Sequence, residues 1–180
     1  HKGNIEVVAQ PGETIVLSGR VRSTESKTIE DRIKVEGAGL NDTYTQAVTQ
    51  YANFIDSIDR NVRKEYDDVF EIFARSKEYN NEQIIADMYN TQHGRQYVDR
   101  IVSTFKEKNE MLNGIIKRHS QTFMGPLLML RLSGRLDKSY QDLYNSLSKE
   151  AQQSYYGREV KEEVYPPTLL GDKAPTVSVK

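Results

Sequence analysis

Between Leu40 and Phe73, apolar and aromatic residues recur at Leu40, Tyr44, Val48, Tyr51, Ile55, Ile58, Val62, Tyr66, Val69 and Phe73. This is the roughly 3.6-residue spacing of one helical face. No Pro or Gly interrupts residues 40–93. The pattern predicts one continuous helix over most of Asn41–Lys77, roughly 55 Å long at about 1.5 Å per residue. Its period is close to the native one, so the helix is expected to be nearly straight. Val48, Tyr51, Ile55, Ile58, Val62, Val69 and Phe73 are expected on its buried face, and Asn41 or Asp42 offers an N-cap. A stripe of this length needs a long partner. The next segment supplies one: Asn80 or Asn81 caps a helix through Ile84, Ile85, Met88 and Tyr89. Residues 90–96 hold no apolar side chain, and the pattern resumes at Tyr97 or Val98, Ile101, Phe105, Leu112, Ile115 and Ile116. The reading is an antiparallel pair of long helices, the second interrupted or kinked near Gly94.

The last third predicts shorter helices. Thr122 caps one carrying Leu127, Leu128, Leu130 and Leu132, with Pro126 in its first turn, where a missing N–H costs nothing. Ser133-Gly134 closes it. Asp137 caps another with Tyr140, Leu143, Tyr144 and Leu147, and Ser148 and Ser154 cap two short pieces. Pro166-Pro167 ends regular structure, and the tail through Ala174-Pro175 to Lys180 reads as extended, without a helix or a central strand of the N-terminal sheet.

The first 40 residues read as β. Ile5–Ala9 and Thr14–Gly19 flank Gln10-Pro11-Gly12-Glu13, a Pro-Gly turn signal that predicts a hairpin. Residues 22–28 are polar and read as a loop, and Ile33-Lys34-Val35 alternates as a third short strand. Three such strands are marginal as an independent sheet. Either the helices cover the sheet or its other strands lie upstream of His1, and we favour the second. The fold class expected is mainly α with a small antiparallel β portion at the N-terminus. Residues 1–40 form that β portion, 41–165 a long helical hairpin followed by shorter helices, and 166–180 an extended linker.

Composition narrows the function classes. The 180 residues carry 25 Lys plus Arg against 26 Asp plus Glu, a net charge of −1. That balance argues against a nucleic-acid partner and gives no reason to expect an anionic membrane surface. The longest run of apolar residues plus Gly and Pro, Phe123–Leu130, is far short of a bilayer span, so no transmembrane segment is expected. The first residue is His1 rather than Met, and the natural start is expected upstream. With 0 Cys, disulfides, thiol catalysis and cysteine-bound metals are excluded for this chain.

Candidate chemistry is sparse. His1, His93 and His119 share no metal-ligand spacing, and His93 and His119 read as helix-end residues. The carboxylate pairs Asp56/Asp59, Asp67/Asp68 and Glu162/Glu163 lack an apolar cleft signature. Arg60 and Arg63 beside the first pair predict surface ion pairs. Ser133-Gly134-Arg135 and Gly37-Ala38-Gly39 match no phosphate loop and read as turns. Of the 11 Tyr, six lie on the apolar stripes (44, 51, 66, 97, 140 and 144), a packing pattern rather than a stacking platform. No catalytic, cofactor-binding or metal-binding residue and no cofactor is expected.

One resemblance supplies a functional expectation. Ile5–Gly19 resembles the closing strands of a small β domain of unknown function that precedes thioredoxin domains in extracytoplasmic bacterial proteins. In that family a Val-x-Gly step is followed by Asn-Asp and a long helix. Val35-Glu36-Gly37 and Leu40-Asn41-Asp42-Thr43-Tyr44 are similar. Leu147-Ser148 and Ser154-Tyr155-Tyr156-Gly157 resemble its later Leu-Ser and Ser-x-x-Gly steps. Leu170-Gly171-Asp172-Lys173-Ala174-Pro175-Thr176-Val177 resembles the Gly-x-x-Ala-Pro-x-Phe approach to a TlpA-like or AhpC/TSA-like thioredoxin domain, with Val177 where Phe is usual. The resemblance implies the non-catalytic N-terminal part of a periplasmic or membrane-anchored thiol–disulfide oxidoreductase. It would position a C-terminal thioredoxin domain of the same polypeptide, bind protein clients, or dimerise through the long helices. A self-contained helical binding or scaffold protein is the alternative.

Overall fold

A computed structural model describes residues 7–9, 12–19, 33–37, 39–79 and 82–166. It is mainly helical with a small antiparallel sheet near the N-terminus. Strands β1 (Val16–Gly19) and β2 (Ile33–Glu36) precede α1 (Gly39–Glu65), α2 (Asp67–Tyr79), α3 (Gln83–Asn90) and α4 (Gln92–Arg118). Then come α5 (Met124–Leu132), a 3-10 turn at Lys138–Tyr140, α6 (Gln141–Asn145), α7 (Lys149–Gln153) and α8 (Tyr155–Val164). The chain divides into two compact units, residues 1–49 and 50–180, with the boundary inside α1. The expected linker, Pro166 apart, lies outside the described residues.

In the first unit Gly12 takes φ +94°, as the Pro-Gly turn requires. The hairpin expected across that turn does not form among the described residues, because Val7–Ala9 is not a strand. Instead β1 pairs with β2, Val16 opposite Glu36 and Gly19 opposite Ile33. The amide of buried Val8 is already taken, donating to Asn41 Oδ1 at 3.1 Å. Asn41 is therefore not the helix cap expected. It sits in the first turn of α1, where its buried side chain ties the N-terminal segment to the helix. Gly37, at φ +86°, leaves no room for a Cβ beside the Thr14 carbonyl. The sheet is thinly buried: Val16 and Leu17 are exposed.

In the second unit the antiparallel hairpin is realised. Arg118 donates to Gln50 at 3.0 Å, Lys108 bonds Asp59 at 2.7 Å, and Arg100 meets Glu65 at 3.7 Å. Positions thus rise along α1 as they fall along α4. Ile58, Val62, Tyr66, Val69 and Met88 form the hairpin core, with Phe54, Phe70, Phe73, Tyr97 and Ile101 packed around it. Of the expected face, Ile58, Val62 and Val69 are buried, while Val48, Tyr51, Ile55 and Phe73 are half-buried. The single continuous helix is corrected, because the chain is interrupted at Tyr66. There the Tyr66 carbonyl accepts from both Val69 and Phe70. Asp67 and Asp68 then open α2 with acidic side chains, which suit a helix N-terminus. The Tyr66 ring turns into the core against Tyr97, 5.4 Å between centroids.

A one-residue joint separates α3 from α4. Thr91, at φ −75° and ψ 160°, ends one helix and caps the next. Its hydroxyl donates to Met88 O at 2.7 Å and accepts from Gly94 N at 2.9 Å. The interruption expected near Gly94 is thus at Thr91, and Gly94 lies in the first turn of α4. A Cβ there would overlap the Met88 carbonyl. The same arrangement recurs between α7 and α8. Ser154 donates to Ala151 O at 2.6 Å and accepts from Gly157 N at 3.1 Å, and a Cβ on Gly157 would strike the Ala151 carbonyl.

The C-terminal helices build a second core. Leu112, Ile115, Ile116, Leu128, Met129, Val160 and Val164 are fully or almost fully buried. Pro126 is buried in the first turn of α5 as expected, and Gly134 supplies the left-handed stop at φ +68°. Thr122 is not the helix cap: Phe123 holds that position, and the Thr122 hydroxyl receives only a long 3.4 Å bond from Met124 N. Asp137 does cap, accepting from Ser139 N at 2.8 Å, but it caps the 3-10 turn that leads into α6. Ser148 caps α7 through Ala151 N at 3.1 Å.

Candidate functional site

The polar residues singled out in the sequence fall into structural roles. Asp59 pairs with Lys108, and the Arg60 guanidinium donates to the Asp56 carbonyl at 3.1 Å. Arg63 lies over the Phe70 ring, 5.7 Å from its centroid. Asp56, Asp59, Arg60 and Arg63 line only an open depression. His119 ends α4 as expected, and burial, helped by nearby Arg118, holds it below its usual value of 6.5. His93 is corrected: it lies in the first turn of α4, opposite the helix end expected. Its Nε2 lies 3.1 Å from Asp68 Oδ1. The His93 side chain beside Asp68 holds that carboxyl below the usual carboxylate range. Its ring also rests 5.1 Å from Tyr66. No group of three or more His, Cys, Asp or Glu among the described residues could hold a metal ion. His1 lies outside those residues.

Tyrosine packing is the use expected for the aromatic stripes, and the hairpin end shows it. Phe70 meets Phe73 and Tyr97 edge to face, with centroids 6.5 and 6.1 Å apart, and Phe73 and Tyr97 pack tilted at 6.1 Å. Tyr89 adds a contact to Phe73 at 6.2 Å. Burial raises the Tyr97 hydroxyl above its usual value.

The surface that the sequence misplaced lies on α4. Val98 and Phe105 were expected on the buried stripe. The buried face instead runs through Gly94, Thr104, Leu112 and Ile115, flanked by half-buried Tyr97 and Ile101. Val98, Val102 and Phe105 are exposed at 41%, 63% and 64%. Their i, i+4, i+7 spacing puts them on one outer face. Val102, which fits no buried stripe, is the sequence signal that could have revealed this second face. Beside it lie the exposed charges Arg95, Asp99, Lys106 and Glu110. The arrangement offers no nucleophile with a base, but it does offer an apolar strip with a charged flank, the make-up of a helix–helix contact. No helix among the described residues is long and apolar enough to cross a membrane. No protein-family profile, curated protein or solved structure matches this chain.

Proposed function

We propose that this chain is a non-catalytic accessory region of an extracytoplasmic thiol–disulfide oxidoreductase, positioning a thioredoxin domain of the same polypeptide and presenting a helical surface to a partner. The reading is supported by the ordered motifs from Val35-Glu36-Gly37 to Ala174-Pro175. The observation that carries it is where those motifs fall. Gly37 makes the turn out of the sheet, Asn41 anchors the first helix, and Ser148, Ser154 and Gly157 form the joints around α7. They are architectural residues, as an accessory region requires. Thiol exchange needs a thiolate, and the chain has 0 Cys, so the redox chemistry belongs to a separate domain.

The test is the reading frame beyond Lys180. A Cys-x-x-Cys within the following tens of residues supports the assignment. A stop codon, or an unrelated domain, removes it. In an insulin-reduction assay the purified chain alone is expected to show no turnover, and measurable turnover would refute the non-catalytic role. The exposed strip on α4 also favours a second reading, a self-contained helical binding or scaffold protein.

A further inference from the structure

We infer that the outer face of α4 is a self-association surface on which a second copy of this chain docks antiparallel. The inference is independent of whether a redox domain follows. Three large apolar side chains, Val98, Val102 and Phe105, stand exposed in one strip on a 27-residue helix. Solvent-facing apolar residues are unremarkable singly, but a contiguous strip with a polar rim marks an association site.

The charged flank identifies the occupant. Arg95, Asp99, Lys106 and Glu110 lie along one side of the strip, all exposed. They are placed symmetrically about a point between Val102 and Ser103: Asp99 and Lys106 are equidistant from it, as are Arg95 and Glu110. In an antiparallel helix pair, each flank faces the same flank of the other helix, running the opposite way. A two-fold axis at that point therefore brings Asp99 of each copy to Lys106 of the other, and Arg95 to Glu110. Four oppositely charged contacts result, with no like-charge contact along the flank. The apolar strip follows the same symmetry to within two residues: Val98 falls near Phe105, and Val102 near Val102. A closed two-fold contact of this kind is the commonest form of homo-oligomer. A parallel pair, by contrast, would set this flank against the opposite flank of the other helix, and these four charges would not meet one another.

The strip is small for an obligate interface, so dissociation in the range of tens of micromolar is expected, on the order of weak transient complexes. Sedimentation equilibrium across that range is expected to show monomer and dimer. Val102→Asp should abolish the dimer while leaving the helical circular dichroism unchanged, because the side chain is exposed. Asp99→Lys should weaken the dimer by roughly tenfold, and the exchanged pair Asp99→Lys/Lys106→Asp should return it to within about threefold of the original. The chain has 0 Cys, so an introduced cysteine is its only thiol. Val102→Cys, at the axis, should cross-link on mild oxidation. Asn109→Cys should not, because antiparallel copies hold those two positions roughly 20 Å apart, beyond disulfide reach. The proposal is overturned if the chain stays monomeric to about 1 mM, if Val102→Asp leaves a dimer intact, if the charge exchange fails to restore association, or if Asn109→Cys cross-links as readily as Val102→Cys. A monomer would leave the strip to a different protein or to another segment of the polypeptide.

Discussion

Two residue pairs, Thr91 with Gly94 and Ser154 with Gly157, show why a side chain and the lack of one can serve the same joint. The hydroxyl satisfies a carbonyl behind it and an amide ahead of it, while the glycine lets the next helix begin against the last carbonyls of the previous one. Thr91→Val keeps the shape and removes both bonds, so it should cost about 1–2 kcal/mol in urea unfolding. Gly94→Ala and Gly157→Ala should each cost about 1–3 kcal/mol through overpacking, despite a helix-propensity gain of about 1 kcal/mol. Gly114 is the control. A Cβ there meets nothing nearer than the far end of Arg118 at 4.0 Å, so Gly114→Ala should be neutral or stabilising by up to about 1 kcal/mol. A pH effect belongs to this scale as well. His119 is held below 6.5 by burial and by Arg118, so the folded state takes up its proton less readily than the unfolded chain. The stability from its neutral form is complete above that value and is lost as pH falls through it. Between about pH 7.5 and 5.5 the urea midpoint of the native chain should fall more than that of His119→Gln.

At the scale of elements, the seam between α1 and α4 decides the hairpin. Ile58 is 5% exposed at its centre. Ile58→Ala should lose about 2–5 kcal/mol, and Ile58→Asp more, because it places a charge in an apolar seam. Equal denaturant midpoints for Ile58→Ala and the native chain would contradict this. The hairpin and the caps at Asp137, Ser148 and Ser154 were legible because periodicity and capping are local chemistry. Their partners lie two or three residues away. The break at Tyr66 was not legible: no Pro or Gly marks it, and what favours it is distant, the packing of its ring against Tyr97 and His93. The interruption near Gly94 was legible, but the residue that makes it is Thr91, and Gly94 contributes through its close approach to Met88. The pairing of β1 with β2 was hidden because the Pro-Gly turn is a strong local signal, while the claim of Asn41 on the Val8 amide comes from 33 residues away. On α4, two apolar faces share one helix, and periodicity alone could not say which faces inward.

For the whole molecule, the two compact units differ in how much they bury. In β1 all four residues are exposed, whereas Leu128, Met129, Val160 and Val164 of α5 and α8 have no measurable exposure. Opening free energy follows buried contact, so backbone amides of the sheet should exchange with deuterium roughly a hundredfold faster than those of α5 and α8. Uniform protection would count against that division. The one-residue joints bear on how this architecture tolerates change in length. A residue added inside a helical joint turns everything after it by about 100° and advances it by about 1.5 Å. At Thr91 or Ser154 there is no slack in which to absorb that turn, because a single side chain serves both helices. Between α5 and the 3-10 turn, Ser133–Asp137 can absorb it. Divergent homologues should therefore gain and lose residues at 133–137 while keeping Thr91 to Gly94 and Ser154 to Gly157 ungapped, making these two short segments the fixed points from which distant relatives can be aligned.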